Sequence, residues 1–207
     1  MAVTTNWVRV RRLMATGVAG AGLAALAVGV LPAGAAAPDK TVSASYNCTV
    51  SVLTYSLSYA VTASVTATAP ATVAPGAKVS VSHLQTTLTV PASFVNEALS
   101  FGAGTISGTL TTADITATDA KVALVNTAGT GVAIPTLTLV SGQALNVELP
   151  PTPAKVGPWT AKKAGTMKFS TGEVAATLKT TSKIGPLTVS LNCAPNPAAV
   201  IGKTTVS

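Results

Sequence analysis

The stretch that decides the fold is LTYSLSYAVTASVTAT, residues 53–68. Its odd positions are apolar: Leu53, Tyr55, Leu57, Tyr59, Val61, Ala63, Val65 and Ala67. Its even positions are small and mostly hydroxylated, from Thr54 through Ser58 to Thr68. Alternation with a period of two predicts a half-buried β-strand, one face on a core and the other in water. Upstream, residues 43–52 keep their apolar side chains on even positions. A one-residue slip exchanges the two faces of a strand, so Val52-Leu53 must hold a bulge, bend or tight turn.

The same alternation recurs downstream. A strand is expected at 78–90, with another change of parity near 82–84. Pro91 opens the one helical piece, PASFVNEALSF, in which Val95 and Leu99 share a face and Gly102 can end the helix. Further strands are expected at 104–118, 121–125, 136–140 and 144–149. A stiff proline-rich crossover spans 150–158, where Pro150, Pro151, Pro153 and Pro158 fall. Hairpin-like strands at 166–169 and 173–179 flank Ser170-Thr171-Gly172, and strands at 186–193 and 200–206 follow. This pattern predicts an all-β protein: an immunoglobulin-like β-sandwich of about nine strands with one short helix.

The N-terminus reads as an export signal. Arg9, Arg11 and Arg12 precede an Ala/Gly-rich apolar run over 13–31, and small residues then follow Pro32. Cleavage after Ala35 is expected, leaving 36–207 as one sandwich domain that is secreted or held at the cell envelope and does not span the membrane. The full chain carries +7, but every arginine lies in the leader, so 36–207 holds ten lysines against six acids. Missing Arg forks and interleaved aromatics argue against nucleic acid. Cys48 and Cys193 are the only cysteines. An even count in an oxidising compartment, with both thiols on the apolar parity of their strands, predicts one disulfide.

Tyr46-Asn-Cys-Thr49, the Pro-Ala-Ser-Phe-Val helix start and Leu191-Asn-Cys-Ala-Pro195 resemble a family of secreted actinobacterial domains of uncharacterised function. That resemblance implies a β-sandwich closed by the Cys48–Cys193 bridge and transfers no catalytic residues. Some small secreted chains of this build are labelled lipid or cholesteryl esterases, which keeps a hydrolase in view.

A hydrolase would have to use His83, the single histidine, with Asp114 or Asp119 to orient it and Ser107 or Ser141 as nucleophile. Yet Gly104-Thr-Ile-Ser107-Gly108 puts its serine one position away from a nucleophile elbow, and in a strand. Neither a metal set nor a cofactor signature is present in the sequence. Candidate binding residues are Trp159, beside a Pro/Gly turn, and the lysines at 162, 163 and 168, which suit a cell-wall polymer, a polysaccharide or a lipid; a plug at the end of the sandwich is the competing and favoured role for Trp159. The expectation is therefore a non-catalytic binding or structural module. An ester hydrolase using Ser and His83 is the alternative, and an envelope pore of alternating strands a second one.

Overall fold

The computed structural model describes residues 38–207, so the expected leader at 1–35 and its cleavage point lie outside the described residues. The elements are β1 (Lys40–Val52), β2 (Tyr55–Thr68), β3 (Thr72–Val73), β4 (Lys78–Val90), α1 (Ala92–Ser100), β5 (Thr105–Ala117), β6 (Leu124–Asn126), β7 (Val132–Thr138), β8 (Leu145–Thr160), β9 (Gly165–Ser182), β10 (Gly185–Pro195) and β11 (Val200–Val206). The chain is all-β, with one short helix and a Cys48–Cys193 disulfide. Eleven strands occur among the described residues.

All eleven belong to one sheet. From its β8 edge the order is β8-β4-β2-β1-β10-β9, and β5 then pairs with β9 and carries β6 and β7 on its far side. β11 pairs with the first third of β9 and holds β3, in the only parallel pairing among the described strands. The sheet turns over on itself, because buried side chains of β1, β2, β4 and β8 pack against those of β5, β9 and β11. The layers of the sandwich are thus two parts of one curled sheet.

The parity changes take the forms their side-chain patterns demand. Val52 pairs with Tyr55, leaving Leu53-Thr54 as a two-residue turn. At 82–84 the pairing of β4 with β8 shifts register, and His83 takes a φ of 52°. Burial along β2 follows the alternation: Val61, Ala63, Val65 and Ala67 are buried while Thr62 and Ser64 are exposed.

Two expectations are corrected. The stretch 150–158 is not a crossover: it continues β8, an edge strand whose pairing with β4 is broken by register shifts. Edge strands tolerate proline because one side of their backbone needs no ladder partner. Ser170-Thr171-Gly172 is not a hairpin turn either, since β9 runs straight through it. On one side β9 stays paired with β5 from Phe169 to Thr180. On the other it passes from β11 to β10 at these three residues. A Cβ at Gly172 would lie 2.8 Å from that of Asp114, so the glycine serves close strand approach rather than a turn.

The two ends of the sandwich differ. One is sealed by Trp159, Phe169, Met167 and Ile201, all fully buried, and burial of each such side chain contributes about 1.5–3 kcal/mol. At the other, α1 lies across the opening, held by buried Val95 against Ala103, Ile106 and Leu139. Between them the disulfide joins directly paired positions of β1 and β10.

Candidate functional site

The hydrolase residues are not assembled. His83 is exposed on the β4 bulge, and its Nδ1 lies 2.9 Å from Asp39 Oδ1. The Thr68 hydroxyl donates to the same carboxylate oxygen. Asp39 is therefore held below the usual carboxylate range, first by Thr68 and then by His83. In a nucleophilic triad the hydroxyl gives its proton to the imidazole. Here hydroxyl and imidazole both bind the carboxylate. Among the described residues no hydrogen bond joins His83 to Ser107, Ser141, Asp114 or Asp119. Ser107 and Asp114 sit on β5, opposite Lys179 and Asn126. Ser141 donates to Asn96 Oδ1 at 3.2 Å, and the Asp119 carbonyl accepts the Lys162 N–H. Asp39, at the very start of the described chain, was invisible to any motif search.

Trp159 presents no ring face for a ligand. It is fully buried, with its indole 5.1 Å from the Phe169 ring. Of the two roles the sequence leaves open for Trp159, a stacking platform and a plug of the sandwich end, its burial fits the plug. Lys162 and Lys163 are exposed in the turn before β9, and Lys168 on β9 faces Lys203 across the strand pair. They mark the sealed end. No group of three or more His, Cys, Asp or Glu placed to hold a metal ion occurs among the described residues.

The built feature is the interior of the other end, which the sequence reading did not single out. Three apolar cavities of about 230, 60 and 160 Å³ lie between the layers. The first shares Val50, Tyr59, Phe94, Ile106 and Leu178 with the second. The second shares Tyr46, Leu88, Leu110, Leu149 and Val174 with the third. They form a wall-sharing series that starts at the α1 end and reaches Val156 and Ile201. Along β2 the inward-facing stripe opens progressively: Val61 is buried, Tyr59 and Leu57 half-buried and Tyr55 exposed. That gradient is the wall of a mouth.

Helix α1 is fixed over this mouth at three places. Phe94 meets Tyr59 edge to face at 5.3 Å, and the Tyr59 hydroxyl donates to Glu97. Asn96 accepts the Gly142 N–H at 2.8 Å, and the Phe101 carbonyl accepts the Lys183 N–H. Burial, then the hydrogen bond to Glu97 and its charge, pushes the Tyr59 phenol up to about 12. Asp114, half-buried on the wall of the third cavity, is raised by desolvation and then by the neighbouring charge of Glu173. The sequence held a signal for all this: the apolar stripe of 53–68 continues in large residues to the tip of its hairpin, where turns are ordinarily polar.

The pore reading is the reverse of what the strands show. Their buried side chains are nearly all apolar, while their Lys and most of their Ser and Thr side chains face outward, whereas a membrane barrel turns its apolar face to lipid.

Among solved structures, a Corynebacterium diphtheriae protein that carries the provisional description of membrane anchored protein superposes with a TM-score of 0.50 at 15% identity. The superposition covers 81% of this chain and 38% of that protein, so this chain spans well under half of its length. At this identity the likeness concerns the fold alone. No curated protein matches the sequence significantly. The profile of a family of unknown function matches residues 45–201, from β1 into β11 and across every wall of the cavities. This chain belongs to that family, DUF6801.

Proposed function

We propose that this protein is a non-catalytic binding module, exported to the cell envelope or beyond, that holds the apolar part of a lipid between the layers of its sandwich. One observation carries the reading: a series of wall-sharing apolar cavities that begins at an open mouth. Close-packed interiors leave few voids larger than a water molecule. A row of wall-sharing apolar cavities with an open mouth is what binding sites for apolar ligands look like. Export is supported by the leader-like 1–35 segment and by the disulfide, which persists only in an oxidising compartment. The provisional description of the Corynebacterium diphtheriae protein agrees with an envelope setting.

The test is titration of the delipidated protein with a fluorescent long-chain fatty acid. Saturable binding, displaced by an unlabelled fatty acid, is expected. Ala98→Trp, at a half-buried α1 position on the first cavity, places an indole in the path and should weaken binding at least ~10-fold, the loss of roughly one buried side chain's worth of contact. Absence of saturable binding overturns the proposal. The ester-hydrolase alternative is tested in parallel: turnover of fatty-acyl esters that His83→Ala abolishes would overturn the non-catalytic assignment.

A further inference from the structure

Seven large apolar side chains stand exposed among the described residues, and four of them, Leu53, Tyr55, Phe101 and Ile184, line the one mouth. They come from three separate segments: the tip of the β1–β2 hairpin, the residue after α1 and the β9–β10 turn. Leu53 and Ile184 are 73% and 77% exposed at hairpin tips, where Gly, Asn and Asp are the usual residues. Leu53 moreover holds a φ of 52°, a conformation that costs a branched L-residue free energy and that glycine would adopt without strain. Next to Ile184 stands Lys183, whose Nζ donates to the Ser100 carbonyl, and Lys179 lies further along the same hairpin.

We infer that the mouth seats on a lipid bilayer, with Leu53, Tyr55, Phe101 and Ile184 entering the interface. A protein partner covering these tips would also seal the cavity behind them. A bilayer receives the same apolar tips, leaves the cavity facing the acyl phase and supplies its ligand. Apolar tips beside lysines are the combination by which peripheral proteins bind an interface, the lysines adding attraction to anionic lipid. The purpose assigned to this docking rests on the acyl-binding reading above, but the docking is measured separately.

The experiment is flotation of the full chain with phosphatidylcholine vesicles, with and without phosphatidylglycerol, for the parent and for Leu53→Asp/Ile184→Asp. Both positions are exposed turn tips, so unchanged thermal unfolding is expected. The parent should float, more strongly with phosphatidylglycerol, and the double variant should lose at least ~10-fold in partitioning. Because Leu53 and Ile184 line the first cavity, fatty-acid binding is measured on the parent in solution, without vesicles, so that docking and cavity occupancy are read independently. If the parent binds fatty acid yet floats with neither vesicle, docking is overturned and the cavity reading stands. If parent and variant float equally, attachment lies elsewhere and the inference also fails. A parent dimer that the double variant splits would make the rim a self-association surface and overturn it too. A parent that neither floats nor binds fatty acid would sink the two readings together.

Discussion

A carboxylate on the wall of an apolar cavity is a liability. Desolvation and then Glu173 raise Asp114, so its proton is held more tightly in the folded chain than in the unfolded one. The stability this confers is present below the unfolded carboxylate range and is lost as pH rises through the folded value. At neutral pH the ionised group therefore works against folding. Asp114→Asn should raise Tm by about 1–3 °C at pH 7, and the gain should vanish on acidification, as scanning calorimetry at two pH values will show. Tyr59 has the same sign in a different window. Its phenol is raised from 10.0 to about 12, so its contribution is intact below pH 10 and fades between 10 and 12. Tyr59→Phe should cost about 1 kcal/mol at neutral pH, for the lost bond to Glu97, and the gap from the parent should close over that alkaline window. Neither effect was legible in the sequence. Tyr59 and Glu97 are joined by the folding of α1 over β2, and Asp114 meets its cavity only because β5 faces β4 and β8.

Elements were far more legible than sites. Period-two alternation marked β1, β2, β4 and β5 almost to their ends, because each has one face in water and one on the core. It failed where a local turn signal met a tertiary reason to stay extended. Pro150 to Pro158 sit on an edge, and Ser170 to Gly172 mark an exchange of neighbours within β9. Pro91 is the N-cap of α1 rather than its first helical residue, with extended backbone, and no side chain caps the helix. The helix keeps its place through Asn96, Glu97 and Phe94 instead. The disulfide is the other element-scale tie, and it was readable from parity and compartment. It closes a separation of 145 residues, for which chain entropy gives an upper value of about 5 kcal/mol. Cys48→Ala/Cys193→Ala should therefore lower stability by ~2–5 kcal/mol in urea titration with a near-native far-ultraviolet circular dichroism spectrum, since β1 and β10 remain paired through their backbones.

For the whole molecule, the sealed and open ends set a thermodynamic consequence that local packing alone does not. At the sealed end Trp159, Phe169 and Met167 line none of the three voids, whereas the first of those voids opens at the mouth beneath α1. A ligand that enters those voids binds the folded chain and not the unfolded one, so it must stabilise by mass action. At ~100-fold excess over Kd this amounts to about 2.7 kcal/mol, or a rise in Tm of roughly 5–10 °C for a domain of this size. The rise should continue with the logarithm of ligand concentration instead of reaching a plateau, because the linkage has no saturation. Ala98→Trp supplies the contrast: its Tm without ligand should match the parent within ~2 °C, since position 98 is only half-buried, while its ligand-induced rise should largely disappear. Differential scanning fluorimetry across a fatty-acid series measures both quantities in one experiment. A shift of equal size in parent and variant would place the ligand outside the mouth, on the surface or in some other void, and the two-ended description of the molecule would lose its functional meaning.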